Sequence, residues 1–264
     1  MRMAFCPSVV LHPIVQRSWS SRRERTVISL SAKPPRRARA LAQDVQQALQ
    51  SALQSRQSRL SVELPTGAQL GLEPRKQQES KNVAKTVGDR EVARLMIALF
   101  EGKGLKMHVF FSGKAQVKEA DRVWGQMNDV TLGEWRGIRG FGAGMAGGAD
   151  VLVFVGDDTR LVRAASEVGQ SLGMDKLVIM VNARAPEQMD ERFIEVYHFD
   201  TTAKWKGGVV FRKHPHEWVV CRVTRFGSYS TVLQTEERPS GEDIIAALEG
   251  ADTNAMIDVM SLFR

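Results

Sequence analysis

Two short stretches carry residue types that could do chemistry side by side. Gly156-Asp157-Asp158-Thr159 follows the apolar run Asp150–Val155, and Asn182-Ala183-Arg184 follows the apolar run Lys176–Val181. Both runs have strand length, and one helix-length segment separates them, so they read as a β-α-β unit of a parallel sheet. Parallel strands put both stretches on one carboxyl edge, where open α/β sheets bind ligands. Asp157 and Asp158 are a carboxylate pair that could hold Mg²⁺; the plainer reading is that Asp158 or Thr159 caps the next helix and Asp157 sits in the turn. Arg184 offers a guanidinium fork for an anion, or for a salt link to Asp157 or Asp158. These residues, Asp157, Asp158, Thr159, Asn182 and Arg184, are the candidate ligand-binding rim. No G-K-[ST] loop accompanies them, so a nucleotide-phosphate site lacks its usual lysine.

The other chemically suggestive residues carry less. Gly142-Ala-Gly144-Met-Ala-Gly147 matches G-x-G-x-x-G, but the glycines precede the strand instead of following it, so they form a loop and not a dinucleotide turn. His214-Pro215-His216-Glu217-Trp218 has three potential metal ligands, yet Pro215 splays them and no further Cys/His cluster supports them. An exposed turn anchored by Trp218 is expected there. His108 is isolated in a strand. Cys221 also falls in a strand and reads as a small buried apolar residue. No hydrolase, zincin or Ser/His/Asp signature is present. No catalytic residue, metal or cofactor is therefore predicted.

The elements that would position the rim follow from periodicity. Leu41, Val45, Ala48, Leu49, Ala52 and Leu53 recur at helical spacing, and Leu60-Ser-Val62-Glu-Leu64 alternates before Pro65. A long polar loop is expected over 66–80, a helix over 89–100, a strand over 105–111 and a helix over 114–127. Residues 128–148 read as irregular. A crossover helix spans 159–172, stopped by Gly173. Short extended runs at 193–199, 208–212, 218–223 and 229–234 read as an antiparallel meander. Ser240 caps a helix to Leu248, with Asp243 three residues on, and a last helix is expected over 252–263. The predicted class is α/β: a Rossmann-like, mostly parallel sheet flanked by helices, with a C-terminal antiparallel extension.

Charge separates a leader from this domain. The 264 residues carry a net +7, but nine of 37 basic residues and one of 30 acidic residues lie in 1–43. The remainder holds 28 basic and 29 acidic residues, a net of −1, so a nucleic-acid role for the folded part lacks its electrostatic basis. Residues 1–32 are Arg/Ser-rich and almost acid-free, the composition of an organelle transit peptide; composition alone does not separate chloroplast from mitochondrion. Residues 33–264 are expected to form a single α/β domain. No run of 18 apolar residues exists, so no transmembrane helix is predicted.

A set of short motifs then occurs in a recognisable order. It comprises Leu60-Ser-Val62-Glu63-Leu64-Pro65, Val109-Phe110-Phe111 with Arg122-Val-Trp124, Asp150–Val155, Asn182-Ala-Arg184 and Phe193-Ile-Glu195-Val196-Tyr197. Phe211-Arg212-Lys-His-Pro215-His-Glu-Trp218 and Glu237-Arg238-Pro239-Ser240-Gly241-Glu242 follow and are the most specific pieces. Over about residues 38–250 this resembles the plastid and cyanobacterial domain-of-unknown-function family that includes the Low PSII Accumulation proteins. The same module looks like the one fused behind a plastid adenylate kinase. The resemblance implies a chloroplast protein, stromal or thylakoid-associated as a peripheral membrane protein. It implies a non-enzymatic factor for photosystem II assembly or accumulation whose partners are photosystem II subunits or the thylakoid insertion machinery. It carries over no catalytic residue. Ser112-Gly113 stands where the family often has Pro-Asp, and Asn182-Ala183 where it often has Asn-Pro, both on the rim. A nucleotide- or phosphate-binding plastid enzyme using that rim stays open as the alternative.

Overall fold

The computed structural model describes residues 33–35, 38–64, 81–135, 148–184, 189–201, 208–224 and 227–250. Along the chain these form α1 (Ala38–Gln54), β1 (Arg59–Glu63), α2 (Lys81–Ala98), β2 (Met107–Phe111), α3 (Lys114–Trp124), β3 (Val130–Glu134) and β4 (Val151–Val155). There follow α4 (Thr159–Ser171), β5 (Leu177–Val181), β6 (Ile194–Asp200), β7 (Gly208–Lys213), β8 (Trp218–Val223), β9 (Tyr229–Thr235) and α5 (residues 241–250). The expected leader 1–32, the loop 66–80, the glycine loop 142–147 and the last helix 252–263 lie wholly or almost wholly outside the described residues. Residues 31–264 group as one compact unit.

The strands form one nine-stranded sheet in the order β3-β2-β4-β5-β1-β6-β7-β8-β9. The first six are mutually parallel, and β6 to β9 run as an antiparallel meander. The α/β class with its antiparallel extension is thus the observed architecture. Two elements differ from expectation. β3 lies in the stretch read as irregular; as an edge strand its side chains are partly or fully exposed, so it lacks the alternation that marks a half-buried strand. α2 begins at Lys81, eight residues before the expected start, which the sequence does not signal because residues 81–88 carry little apolar periodicity and include Gly88. Asp89 therefore sits within a helix and not at its mouth.

Alternation along each strand sorts the side chains onto two faces. One face gathers Leu60, Val62, Val109, Phe111, Val153, Val155, Ile179, Val181, Tyr197, Phe211 and Cys221 under α1, α2 and α3. On the other face α4 packs Leu161, Val162, Ala165 and Val168 against Leu152, Phe154, Val178 and Met180. Further along that face, α5 sets Ile244 and Leu248 on Val210, Trp218 and Val220. Between these two apolar clusters lie β1 and β6, and there the face turns polar: Arg59, Ser61, Glu63, Glu195 and His198 are all under 10 % exposed. A β-bulge puts Ser61 opposite Glu195 but Glu63 opposite His198, and so brings Glu195 and His198 onto one face although they are three residues apart.

Arg59 shows how such a strip is made tolerable. Its Nε donates to Gly169 O at 2.8 Å, Nη1 to Lys176 O at 2.6 Å, and Nη2 to Leu172 O at 2.8 Å and Gly173 O at 3.2 Å. These are carbonyls that the end of α4 and its following turn leave without helical donors. A cation at a helix C-terminus also meets the negative end of its dipole. Burial lowers the Arg59 pKa, with Arg192 adding to that and Asp175 and Asp190 opposing it.

Candidate functional site

The structure brings the five rim residues together where the carboxyl ends of β4 and β5 run side by side in parallel register, Val155 opposite Val181. Beyond β4, Gly156 takes a φ of +112°, a conformation only glycine adopts easily, and its N–H donates to Val181 O at 2.9 Å. Asp158 is the helix cap: its Oδ1 accepts from Arg160 N at 2.9 Å. Thr159 is exposed at the first position of α4. Beyond β5, both Asn182 and Arg184 hold left-handed backbone, φ +55° and +52°. Non-glycine residues rarely do so unless neighbours enforce it.

Those neighbours are visible. Asn182 is fully buried; its Oδ1 accepts from Leu64 N at 2.7 Å and its Nδ2 donates to Asp89 Oδ1 at 2.5 Å. The Arg184 guanidinium reaches over the sheet edge to α2 and holds Asp89 with both ends, Nη2 to Oδ1 at 2.6 Å and Nη1 to Oδ2 at 3.3 Å. Asp157 stands 3.7 Å from Nη1. Burial works to lower the Arg184 pKa, and the bonds and charge of Asp89 outweigh it, for a net rise. Of the pairings expected for Arg184, the link to Asp157 is present but secondary; the main partner is Asp89.

The backbone N–H of Arg184 donates to Glu63 Oε1 at 2.9 Å, which joins the rim to the polar strip. Burial raises the Glu63 carboxyl to about 7 against the pull of His198 and this N–H, with Glu195 adding to the rise. Across the bulge, His198 Nδ1 lies 2.6 Å from Glu195 Oε1, and Arg238 Nη1 donates to Glu195 Oε2 at 3.0 Å. Burial would raise Glu195; the bond to His198, helped by Arg238 and Arg212, takes it below its ordinary value. The Arg212 and Arg238 guanidinium carbons each lie 5.3 Å from the centroid of the Trp218 ring, and the His198 ring packs 5.1 Å from it. A cation–π contact is strong when the ring is shielded from water, and Trp218 is only 1 % exposed.

Chemically, the strip combines a protonatable carboxyl near neutrality, an imidazole whose Nδ1 is fixed by a carboxylate, and three guanidinium groups. Strong pKa perturbation of this kind concentrates at functional sites and also in structural ion networks. Sequence reasoning missed Glu63, Asp89, Glu195, His198, Arg212 and Arg238. A signal existed for most of them: the two most specific motif pieces, 211–218 and 237–242, supply Arg212, Trp218 and Arg238, and the piece at 193–197 supplies Glu195. The charged residues at alternate positions of β1 were the cue for Glu63.

The remaining candidates are accounted for. Pro215 and His216 are exposed and Trp218 is buried beneath them, as the turn reading expects. Among the described residues no group of His, Cys, Asp or Glu side chains is placed to hold a metal ion. Cys221 is 1 % exposed, with its thiol pKa raised by burial. Burial lowers the His108 pKa, and its ring sits edge-on to Phe110. No helix among the described residues is long and apolar enough to cross a membrane.

Comparison with protein families matches residues 35–246 to the model of the Domain of unknown function (DUF1995) family, and the chain belongs to that family. Comparison with the curated proteins and with the solved structures finds no match.

Proposed function

We propose that this DUF1995 member is a chloroplast factor that acts in photosystem II assembly or accumulation by binding protein partners, without catalysis of its own. The motif resemblance supports the compartment and the process, and the transit-like leader is consistent with an organelle. One observation carries the non-catalytic part: the rim's strongest cation, Arg184, is held at both ends by Asp89, and the Asp158 carboxylate caps α4. The groups best suited to a ligand at this edge are engaged in holding up the fold. The sheet then serves as a frame for surfaces that other proteins read. Immobilised protein lacking residues 1–32 should retain photosystem II subunits or insertion-machinery components from solubilised thylakoids. Retention of neither sinks the reading.

A second reading, a nucleotide- or phosphate-binding plastid enzyme at the rim, rests on the left-handed backbone at Asn182 and Arg184. Such backbone is enriched at binding sites. Titration with ATP, NADP and sugar phosphates, with and without Mg²⁺, separates the two. Saturable binding at millimolar ligand or below favours the enzyme.

A further inference from the structure

Arg212 is the one guanidinium of the polar strip that makes no hydrogen bond or ion pair among the described residues, although the charge of Glu195 acts on it from beyond ion-pair distance. Both oxygens of Glu195 are committed, Oε1 to His198 and Oε2 to Arg238. Among the described residues no Asp or Glu oxygen lies within ion-pair distance of Arg212, and its Nε is buried without a hydrogen-bond partner. Two residues further along, the Nε2 of His214 is likewise buried and unpartnered, and the Ser61 hydroxyl, on a fully buried residue opposite Glu195, is a third such group. The strand pairings put Ser61, Glu195, His198 and Arg212 on the same face, and His214 lies in the turn just after β7. Burial lowers the Arg212 pKa against the opposing charge of Glu195, and burial, with Arg212 and His216 adding to it, lowers that of His214. Buried polar atoms are almost always satisfied, so several orphans on one strip call for an absent partner. Arg212 and His214 are only partly buried as residues, so a partner from solution meets the exposed parts of these side chains, while Arg212 Nε and His214 Nε2 themselves lie beneath.

We propose that Arg212 and His214, with Arg238 on the same Trp218 ring, receive a small oxyanion, a phosphate or carboxylate group, on the sheet face between α4 and α5. The guanidinium fork supplies paired donors for two oxygens, and the Trp218 ring keeps its plane in place. This site lies on the meander side of the sheet, away from Arg184, and does not rest on the assembly reading.

The test is an NMR titration of the full chain labelled with ¹⁵N-arginine, following the Arg212 Nε–Hε signal. Inorganic phosphate and succinate are added in separate arms at constant ionic strength. A saturable Arg212 shift is expected in one arm, which names the source, while the exposed Arg122 signal stays still. Arg238→Gln should weaken that binding about tenfold, the loss of one charge-assisted contact. If neither anion gives a saturable shift by about 50 mM, weaker than a roughly millimolar site would allow, the proposal is overturned. It is also overturned if Arg122 shifts equally or if the saturating signal belongs to Arg184. The wild-type titration decides even if the variant fails to fold.

Discussion

Glu63→Gln should stabilise the protein above neutral pH. Glu63 is buried on β1 with its acid form favoured, its pKa moved from 4.5 to about 7. In the unfolded chain the carboxyl ionises from pH 4.5 upward; in the folded protein it holds its proton until about 7. Between those values the native state binds more protons, so stability falls as pH rises. The contribution is fully present below 4.5 and fully lost above 7. At about 1.4 kcal/mol per tenfold change, the full span corresponds to about 3 kcal/mol, most of it between pH 5 and pH 8. Glutamine keeps an oxygen to accept the Arg184 N–H but cannot ionise. The assay is urea denaturation of both proteins at pH 5 and pH 8. His108 and His214, whose pKa values are lowered, add stability as pH rises in this window. They do so in both proteins, so the difference between the two isolates Glu63. Wild type should lose about 2 to 3 kcal/mol more than the variant on going to pH 8. Parallel behaviour, within about 0.5 kcal/mol, would show that Glu63 ionises freely and that the strip is not the low-dielectric environment described.

Three further outcomes follow from the same contacts. Arg59→Met strips the donors from the carbonyls at the end of α4, and urea denaturation should show a loss of about 3 kcal/mol or more; Arg59→Lys should recover only part, since one ammonium cannot span the set. Asp89→Asn leaves Arg184 without its main paired charge and should cost about 3 kcal/mol, whereas Asp89→Leu combined with Arg184→Met should recover part of that, short of wild type by about 1 to 3 kcal/mol because the buried Asn182 Nδ2 loses its acceptor. Recovery in that double variant, read by thermal unfolding, separates a structural ion pair from a ligand-holding one. Ser240→Ala removes the Oγ that accepts from Asp243 N at 3.1 Å, one half of a reciprocal cap, and should lower stability by about 1 kcal/mol.

The fold was legible where residues must satisfy a period. Val151–Val155 and Leu177–Val181, buried on both faces, read as continuous apolar runs, and the Ser240–Asp243 cap was visible as a spacing. β3 was not legible, because an edge strand with one neighbour has no buried face to impress a period of two on the sequence. The rim was half legible. Asp158 as a cap follows from local spacing, but the Arg184–Asp89 pair joins residues 95 apart, and nothing short of the topology names that partner. The polar strip was least legible. Arg59, Ser61 and Glu63 alternate with Leu60 and Val62 as they would on a solvent-facing surface, and only the sheet order shows that α4 and α5 flank them.

That same geometry explains why the charges are there. Two helices cover β4–β5 and β7–β8, and the face of β1 and β6 between them carries no apolar cluster of its own. Long polar side chains there can reach the neighbouring elements. Arg59 reaches the end of α4, Glu63 reaches the turn after β5, and Glu195 reaches Arg238 just ahead of α5. Each tie joins the strip to a different element, so the strip fixes how the flanking helices sit on the sheet. Arg212 breaks the pattern: it lies on the same strip, stacks on Trp218, and has no such tie among the described residues. A strip built from mutual ties, with one cation left untied, is the arrangement expected when a further partner arrives from outside the chain.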